Sequence, residues 1–428
     1  MRRPQWGLAV PRNARESGQG PRTMSTGSWT AGPALPSFRR RLMDDQPLEK
    51  YTPMRAVVLS HAYLEPARRG RLRAIAGLGA QVTAAVPDRW PLMPGLLRRA
   101  QWEDDGGVHI VPVAVGGRIE DADEVRWSGR ALRRLLKEFR PDILQIEEEP
   151  WTRAAARAAA DARKLRIAYV AHTRHSPALP LSAKLRRRSV LGGARGVLCE
   201  NPIVETELAR DFPDVPRAVV PQIGITPPLS SPRPGGDAFT LGCVGRIVPA
   251  LGLDVLLRAC VRLARPWRLV VSGTGPAQIE LEALADRLGI AARVTWLGAQ
   301  PAEDLDRIWP GLDCLVLSSR TSTDRVETLG LYALKAMAHG VPVIATDVGA
   351  LPGTVGEGGL VIPEDDADAL AAAIELLASD AARRTGAGVA GRRRALGEFS
   401  NEVLARRTLE FWRSVTAAAG TAPAVVAV

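Results

Sequence analysis

The sequence contains few of the residues that build disulfide or metal frameworks. Its 428 residues include four cysteines and five histidines. No two cysteines form a CxxC pair, each lies in or beside an apolar run, and the histidines lack HExxH-like spacing. We therefore expect small buried thiols in a reducing compartment, and no metal site. The cysteines are Cys199, Cys243, Cys260 and Cys314.

Long apolar runs and aromatic residues are also scarce. No run of about 18 uncharged apolar residues occurs, so no transmembrane helix is predicted. Aromatic residues make up 5% of the chain, and the densest basic run, Lys184–Arg188, contains none. Because nucleic-acid binders usually interleave aromatic and basic residues, we expect no nucleic-acid partner despite a net charge of +11.

The basic run leaves two interpretations open. It is either a solvated helix face or a surface for anionic lipid or phosphate. The segment Trp90–Arg99 combines apolar and basic residues and favours the second interpretation. We therefore expect a cytoplasmic protein with a possible peripheral contact at the inner face of a membrane.

The first 53 residues differ from the rest of the chain. They hold nine basic and four acidic residues, are rich in Arg, Ser, Gly and Pro, and have no apolar period or signal-peptide core. The composition predicts a disordered extension. Since Met54 begins a clear strand pattern, we hypothesise that the start codon is misplaced, which the intact mass of the natural protein would test.

Short β-branched runs alternate with helical segments from Met54 onward, which predicts parallel α/β sheets. Predicted strands in the first series are Ala56–Ser60, Val82–Val86, His109–Val113, Ile143–Ile146, Ile167–Ala171, Gly196–Cys199 and Ala218–Pro221. Those in the second are Thr240–Val244, Arg268–Ser272, Val294–Leu297, Cys314–Leu317 and Val343–Thr346. Predicted helices include Arg130–Glu138, Thr152–Ala162 and Asn401–Val415.

A Pro/Gly/Ser-rich linker, Pro227–Gly236, separates the two series. The fold class predicted is α/β, with two Rossmann-like doubly wound domains facing a cleft. Ligands of such sheets bind outside the carboxyl ends of the strands. We predict an N-terminal domain over residues 54–228, a C-terminal domain over 237–395, and a final helix with a frayed tail over 396–428.

Three strands of the second series end in glycine turns. The first ends in Gly245-Arg246, the second in Gly273-Thr274-Gly275, and the third in Leu297-Gly298. Glycine lets the backbone approach an anion closely, and an arginine presents a charged fork to phosphate oxygens. Each turn alone is equally compatible with a tight connection, and an arginine after a strand is commonly a surface residue.

The fourth turn is a long polar loop, Ser318–Gly330, which runs into a predicted helix, Leu331–His339. A helix N-terminus offers unpaired N–H groups and the positive end of the helix dipole. The loop and helix together predict a phosphate-binding position.

Taken in order, four segments resemble a known family: VGRIVPALGLDVLL, SGTGP, RVTWLG and ETLGLYALKAMAHGVPVIATDVGALP. They are similar to the retaining GT-B glycosyltransferases of group 1, which include glycogen synthases and phosphatidylinositol mannosyltransferases. The resemblance implies a UDP- or GDP-sugar donor, a sugar or lipid-linked acceptor, no cofactor, and a last helix that crosses back to the first domain. It further implies front-side displacement, in which the leaving phosphate takes the acceptor's proton.

The resemblance also implies roles for residues on the donor side. Arg246 matches the arginine that neutralises the donor diphosphate. Glu327 matches the first acid of a Glu-x7-Glu motif, which approaches the transferred sugar. The backbone of Leu329, Gly330 and Leu331 matches the segment that contacts sugar and phosphate, and Gly245, Gly273, Gly275 and Gly298 complete the donor side.

On the acceptor side, the resemblance places His172 near the reacting sugar, although a satisfied core histidine is an open alternative. Glu147, Glu148 and Glu149 occupy a strand end that faces the acceptor. At most one or two of these three successive acids can face the cleft, and we take Glu148 and Glu149 as the candidates.

Two residues depart from the family pattern. Leu251 stands where the family has a lysine that pairs with the phosphates, and Lys335 stands where the second acid of Glu-x7-Glu accepts bonds from ribose hydroxyls. The lysine ammonium group has no hydrogen-bond acceptor, so it cannot accept bonds from the ribose hydroxyls. We hypothesise that Lys335 partly replaces the missing cation.

The alternative function is a catalytically degenerate binding protein. An epimerase of the same fold is disfavoured by the order of the motifs.

Overall fold

The computed structural model describes residues 53–93, 96–119, 124–175, 177–228, 236–322 and 327–417. All but the last residue of the predicted N-terminal extension lies outside these ranges. So do residues 229–235 of the linker, residues 323–326 of the polar loop, and the tail from residue 418.

The first series of strands forms an eight-stranded sheet in the order β12-β11-β10-β9-β1-β2-β6-β5, parallel except for the edge strand β5. Two short hairpins, β3–β4 and β7–β8, lie outside it. The strands are β1 (Arg55–Leu59), β2 (Gln81–Pro87), β3 (Arg89–Met93), β4 (Leu96–Arg99), β5 (Glu103–Asp104), β6 (Val108–Val113), β7 (Val115–Gly116), β8 (Arg126–Trp127), β9 (Ile143–Ile146), β10 (Ala168–Thr173), β11 (Gly196–Cys199) and β12 (Arg217–Val219).

Helices cover both faces of this sheet, which is why its central strands are nearly continuous apolar runs. The helices are α1 (Gly70–Gly77), α2 (Gly129–Phe139), α3 (Arg153–Leu165), α4 (Leu181–Leu191) and α5 (Pro202–Asp211). Side-chain oxygens of Ser128, Thr152 and Asn201 accept backbone N–H groups at the starts of α2, α3 and α5. These caps fix where each helix leaves the carboxyl edge of the sheet.

The second series forms a six-stranded parallel sheet in the order β15-β14-β13-β16-β17-β18. Its strands are β13 (Phe239–Val244), β14 (Trp267–Ser272), β15 (Val294–Trp296), β16 (Cys314–Leu317), β17 (Val343–Thr346) and β18 (Gly359–Ile362). Its helices are α6 (Leu253–Cys260), α7 (Gln278–Arg287), α8 (Ala302–Ile308), α9 (Leu331–Ala338), α10 (Leu351–Val355), α11 (Ala367–Ser379) and α12 (Ala381–Phe399).

Both sheets are doubly wound, because the strand order reverses once in each. The reversal lies between β1 and β9 in the first sheet and between β13 and β16 in the second. Ligands of open α/β sheets bind where the order reverses, at the carboxyl ends of the strands. The turns after β13 and β16 are those that carry Arg246 and the polar loop, so the topology places both at the expected binding position.

The last helix, α13 (Asn401–Ala417), returns to the N-terminal domain. Leu404, Leu409 and Trp412 are buried in the core that α1 and the first sheet form. The start of α13 also meets the segment just before the linker: Ile225 N–H donates to Phe399 O at 2.8 Å, and Asn401 N–H donates to Ile225 O at 3.0 Å. The residues just before the linker are thus hydrogen-bonded to the crossover segment, which joins α12 to α13.

The predicted fold class is confirmed, and most strand and helix bounds agree within one or two residues. The sequence prediction missed the β3–β4 and β7–β8 hairpins and the edge strands β5 and β18. Pro91 interrupts the apolar pattern of β3, and the arginines of β4 resemble a loop. The four cysteines are buried, as expected, and none forms a disulfide with another. Burial raises the pKa of the Cys243 thiol to about 12, so this thiol stays protonated.

Candidate functional site

The turns after β13 and β14 pack backbone against backbone. A Cβ on Gly273 would lie 1.8 Å from Gly245 O, and a Cβ on Gly275 would lie 2.1 Å from Ile247 O. Gly273 N–H in turn donates to Gly298 O at 2.8 Å, which joins the third turn to the second. Only glycine fits such close approaches. The three turns therefore form one continuous backbone surface at the carboxyl edge of the second sheet.

Arg246 projects from this surface. Its side chain is exposed, and it forms no hydrogen bond or salt bridge with any residue that the structure describes. A guanidinium left unpaired beside a glycine turn is available for a phosphate, which it can bind with two parallel N–H donors.

The loop Pro249–Gly252, which follows Arg246, is held by the end of β16. Arg320 N–H donates to Ala250 O at 2.9 Å, and the Arg320 guanidinium donates to Pro249 O at 3.2 Å. Asp254 and Asp365 both form salt bridges with that guanidinium. Because two carboxylates already neutralise Arg320, its role here is to fix the loop and not to supply an unpaired cation.

The N-terminus of α9 is the other candidate phosphate position. Gly330 precedes the helix with φ of 70°, in the left-handed region that favours glycine. Its N–H donates to Glu327 Oε1 at 3.1 Å, so the Glu327 carboxylate lies at the positive end of the helix dipole. Leu329 is buried and Leu331 begins the helix, so Glu327, Leu329, Gly330 and Leu331 are together at one turn.

The two departures from the family pattern lie in different environments. Leu251 is buried in the core of the C-terminal domain with 2% exposure, so its side chain cannot substitute for a lysine at the ligand. Lys335 is half-buried on α9, four residues after Leu331 and therefore on the same face of the helix. Its ammonium group has no salt bridge to a carboxylate within the described ranges.

In the N-terminal domain, His172 is 1% exposed near the end of β10. Its Nε2 lies 3.2 Å from Glu200 Oε2 and 3.3 Å from Val220 O. Its Nδ1 has no hydrogen-bond partner among the described residues. His172 is therefore satisfied on one side only, and neither interpretation from the sequence is excluded by this geometry.

Glu147 serves a different purpose from its two neighbours. Its side chain is fully buried and forms a salt bridge with the equally buried Arg71, while Gln222 Nε2 donates to its second oxygen at 2.8 Å. Burial alone would raise the pKa of Glu147, but Arg71 lowers it below the ordinary value. Glu147 is thus a structural ion pair inside the domain.

Glu148 and Glu149 each hold a histidine at the carboxyl edge of the sheet. Glu148 accepts His61 N–H and lies 3.0 Å from His61 Nδ1, and the His61 ring stacks on Trp90 with centroids 4.6 Å apart. Glu149 accepts from Thr173 Oγ1 at 2.9 Å and from Arg174 Nε at 2.9 Å, and lies 3.5 Å from His175 Nδ1.

These contacts leave both candidate acceptor-side carboxylates, Glu148 and Glu149, paired. Burial would raise the pKa of Glu149, but bonds from His175 and Arg174 lower it. Glu149 therefore stays ionised near neutral pH, and a proton-transfer role for it is disfavoured.

Sequence reasoning missed several residues that the fold brings to this edge. Arg320 lies in the predicted polar loop without a role of its own, and Asn201 was not among the predicted site residues. An Asn-Pro pair before a helix is a recognisable capping signal, so the position of Asn201 at the start of α5 could have been predicted. The hydrogen bond from Asn201 to Thr328 of the other domain could not have been predicted.

Comparison with solved structures supports the fold assignment. The chain is similar to sucrose-phosphate synthase from Thermosynechococcus elongatus, with a TM-score of 0.65, 20% identity, and coverage of 85% of this chain and 100% of that one. It is also similar to Anabaena HepE in complex with UDP and glucose, with a TM-score of 0.64, 15% identity, and coverage of 84% and 100%. The fold is GT-B, with two Rossmann-like domains.

Two family models match the sequence. Residues 238–380 match the one described as glycosyl transferases group 1, and residues 72–257 match the one described as glycosyltransferase family 4. The chain belongs to the group 1 glycosyltransferases of the GT-B fold, which confirms the resemblance read from the motifs.

Curated relatives are similar over part of their length. A GDP-mannose-dependent alpha-(1-6)-phosphatidylinositol monomannoside mannosyltransferase of Mycolicibacterium smegmatis is 37% identical over 171 residues, which is 38% of this chain and 45% of the relative. A D-inositol 3-phosphate glycosyltransferase of Mycobacterium marinum is 41% identical over 145 residues, or 32% and 30% of the two chains. The match thus spans less than half the length of either relative.

Proposed function

We propose that this protein is a retaining glycosyltransferase that moves a sugar from a UDP- or GDP-type donor to a hydroxyl of a sugar or lipid-linked acceptor. The observation that carries the proposal is the exposed Arg246, unpaired within the described residues, on a glycine-built surface where the second sheet reverses its strand order. A donor diphosphate bound there would lie near the N-terminus of α9 as well.

The proposed chemistry needs no side-chain base. The acceptor oxygen attacks the anomeric carbon as the bond from that carbon to the diphosphate oxygen breaks. The acceptor's proton passes to the leaving phosphate oxygen on the same face of the sugar, so the anomeric configuration is retained. Arg246 and the N–H groups at the start of α9 would stabilise the charge that develops on the leaving diphosphate.

Names of relatives guide the choice of test substrates. The M. smegmatis relative is named for GDP-mannose and a phosphatidylinositol mannoside, and the M. marinum relative for an inositol phosphate. HepE was solved with UDP and glucose. A donor panel of GDP-mannose, GDP-glucose, UDP-glucose and UDP-N-acetylglucosamine, with inositol phosphate and phosphatidylinositol as acceptors, covers these classes.

The first test is binding, measured by calorimetry and thermal shift with GDP, UDP and the donor panel. We expect Arg246→Ala to weaken nucleoside diphosphate binding about tenfold or more, the cost of one charge-assisted hydrogen bond. Arg268→Ala is the matched control, since Arg268 is equally exposed but lies inside β14, away from the glycine turns. Equal effects of the two substitutions would contradict the position that we assign to the diphosphate at Arg246.

The second test is turnover, followed as release of nucleoside diphosphate and transfer of labelled sugar to the acceptors. The anomeric configuration of the product, determined by nuclear magnetic resonance, distinguishes a retaining from an inverting transfer. Tight binding of a donor with neither hydrolysis nor transfer across the panel would reject the transferase proposal and favour the non-catalytic binding protein.

We further propose that α4 contacts a membrane surface, as a lipid-linked acceptor would require. Leu181 and Leu185 are 73% and 60% exposed at one-turn spacing, and the exposed Lys184 and Arg188 flank them. Arg186 and Arg187 are engaged elsewhere, with Trp151 O and Asp211. No helix in the described part of the chain has the length and apolar character needed to cross a bilayer.

Sedimentation with vesicles of phosphatidylglycerol and phosphatidylcholine tests this contact. We expect binding at low salt that weakens as salt screens the cations, and that falls in Leu181→Ser/Leu185→Ser. Ile279→Ser is the control, because Ile279 is 80% exposed on α7 of the other domain. No binding by the unsubstituted protein at low salt would reject the proposal.

A further inference from the structure

Asn201 forms two hydrogen bonds that serve different ends. Its Oδ1 accepts Val204 N–H at 3.0 Å and so caps α5 in the N-terminal domain. Its Nδ2 donates at 2.8 Å to the carbonyl oxygen of Thr328 in the C-terminal domain. Asn201 is 7% exposed; its capping bond is buried, and its bond to Thr328 O is part-buried. One amide group therefore joins a helix start in one domain to the backbone of the other.

The accepting carbonyl belongs to the segment Glu327–Gly330, which leads into α9. Three successive carbonyls of this segment are anchored. Glu327 O accepts Ala350 N–H at 2.9 Å, and Leu329 O accepts Thr354 Oγ1 at 2.6 Å. Both of these donors lie in the C-terminal domain, whereas Asn201 supplies the anchor in the middle. The segment thus has two local anchors and one that depends on the other domain.

The position of this segment determines the position of two candidate donor contacts. Glu327 is its first residue, and Gly330 precedes the N-terminus of α9. A shift of Thr328 would move the Glu327 carboxylate and the N–H groups of the following turn together. Displacements of about 1 Å at such contacts can cost on the order of a hundredfold in rate.

We propose that Asn201 is a positioning residue: its bond to Thr328 O sets the Glu327–Gly330 segment against the N-terminal domain and so couples the approach of the two domains to the geometry of the donor contacts. The proposal rests on the proposed glycosyltransferase function. It assigns no chemical step to Asn201, which acts only through the segment that it holds.

Asn201→Asp separates the two bonds. An aspartate keeps the oxygen that caps α5 and is as good a cap as asparagine. It replaces the N–H donor with a second oxygen, which faces the Thr328 carbonyl without a proton to share. Asn201→Ala removes both bonds. Thr152→Ala is the matched control, because Thr152 caps α3 in the same domain through Ala155 N–H and is not bonded to the donor segment.

We expect Asn201→Asp to unfold at a higher temperature than Asn201→Ala, because it keeps the cap of α5, but below the wild type, because an oxygen faces Thr328 O; Thr152→Ala should also unfold below the wild type. We expect kcat/KM to fall about tenfold or more in both Asn201 variants, mainly through kcat, and to change little in Thr152→Ala. Nucleoside diphosphate affinity should change less than kcat/KM, because Arg246 lies outside the segment that Asn201 holds and only the N–H groups at the start of α9 would shift.

Amide hydrogen exchange of peptides from the start of α9 gives a readout that does not require turnover. We expect faster exchange there in Asn201→Asp than in the wild type, with exchange in α5 unchanged. Wild-type kcat/KM in Asn201→Asp, or unchanged exchange at the start of α9, would overturn the proposal. If the wild-type protein proves inactive on all donors, the glycosyltransferase function fails, and the exchange comparison alone decides whether Asn201 positions the segment.

Discussion

Charge around the candidate diphosphate position is distributed over few side chains. Arg246 is exposed and unpaired within the described ranges, and Lys335 is half-buried on α9. Arg320 is neutralised by Asp254 and Asp365. Leu251 contributes to the core instead. Within the described residues of these turns, Arg246 and Lys335 thus remain without a carboxylate partner, and a diphosphate would depend strongly on each of them.

We predict that Lys335 contributes to nucleoside diphosphate affinity. Lys335→Ala should weaken GDP or UDP binding by up to about tenfold, and Lys335→Glu should weaken it further because a carboxylate repels the phosphates. Calorimetry at low and high salt measures this, since the effect of a charge falls with screening.

Lys137→Glu on α2 is the control for this series, because it changes the net charge equally in the other domain. Equal or tighter binding by Lys335→Glu would contradict compensation and identify Lys335 as a lost acid.

The positions of the candidate donor-side residues could be predicted from the sequence, because these residues directly follow predicted strands. Gly245, Arg246 and Gly273 stand at strand ends, where the side of the sheet is fixed by topology. The sequence singled out Glu148 and Glu149 as candidates, but it could not show what Glu147 does instead. All three are buried, and only the packed fold shows that Arg71 pairs with the first.

At the scale of elements, α13 is held to the N-terminal domain by buried polar contacts as well as apolar packing. Trp412 Nε1 donates to Gln145 Oε1 at 2.7 Å, and Arg71 reaches Thr408 Oγ1 at 3.4 Å while pairing with Glu147. The Arg71–Glu147 pair therefore belongs to the surface on which the crossover helix docks.

We predict that Glu147→Gln destabilises the protein by about 3–5 kcal/mol at neutral pH, because it leaves the buried Arg71 guanidinium uncompensated. The pKa of Glu147 is lowered in the folded protein from an ordinary value of 4.5. Its contribution to stability is therefore complete above that ordinary value and is lost as pH falls through the lower folded pKa.

Urea unfolding of wild type and Glu147→Gln at neutral and acidic pH checks both points. The difference in unfolding free energy between them should shrink in acid. Glu138→Gln, which breaks the exposed pair with Arg134 on α2, should have little effect. A constant difference across the pH range would contradict the linkage to Glu147.

The elements that could be predicted are those whose sequence pattern reflects their own burial. Parallel strands such as β9 and β16 are buried on both faces and read as uninterrupted apolar runs. The β3–β4 hairpin is different, since Trp90 gains its environment from stacking on His61, a contact made through the tertiary fold. The sequence of such short paired strands has no apolar pattern long enough to predict them.

For the whole molecule, alternating strands and helices were enough to predict two doubly wound sheets, because the βαβ connection restricts the topology. Contacts between the domains were beyond prediction. Asn201 and Thr328 are 127 residues apart in sequence, and Ile225 meets Phe399 and Asn401 across still larger separations. Nothing local in either segment indicates its partner.

The linker with the residues just before it, and the residues that join α12 to α13, form the two covalent connections between the domains. Gly224 packs against Asn401 closely: an added Cβ would lie 2.6 Å from its Oδ1 and 2.9 Å from its backbone N and Cα. Those backbone atoms cannot retreat without stretching the bond from Asn401 N–H to Ile225 O. The absence of a side chain at Gly224 is therefore a condition for this connection.

We predict that Gly224→Ala alters the relation between the domains, whereas Gly77→Ala does not. The new methyl group should lower stability by about 1–3 kcal/mol through overpacking and move the linker from the crossover segment. Thermal unfolding and small-angle scattering with and without nucleoside diphosphate would measure both effects. Gly77 ends α1 with no neighbouring heavy atom within 4 Å of its added Cβ, so Gly77→Ala should be neutral or slightly stabilising. Identical scattering curves for Gly224→Ala and wild type would show that the domains keep their arrangement without this contact.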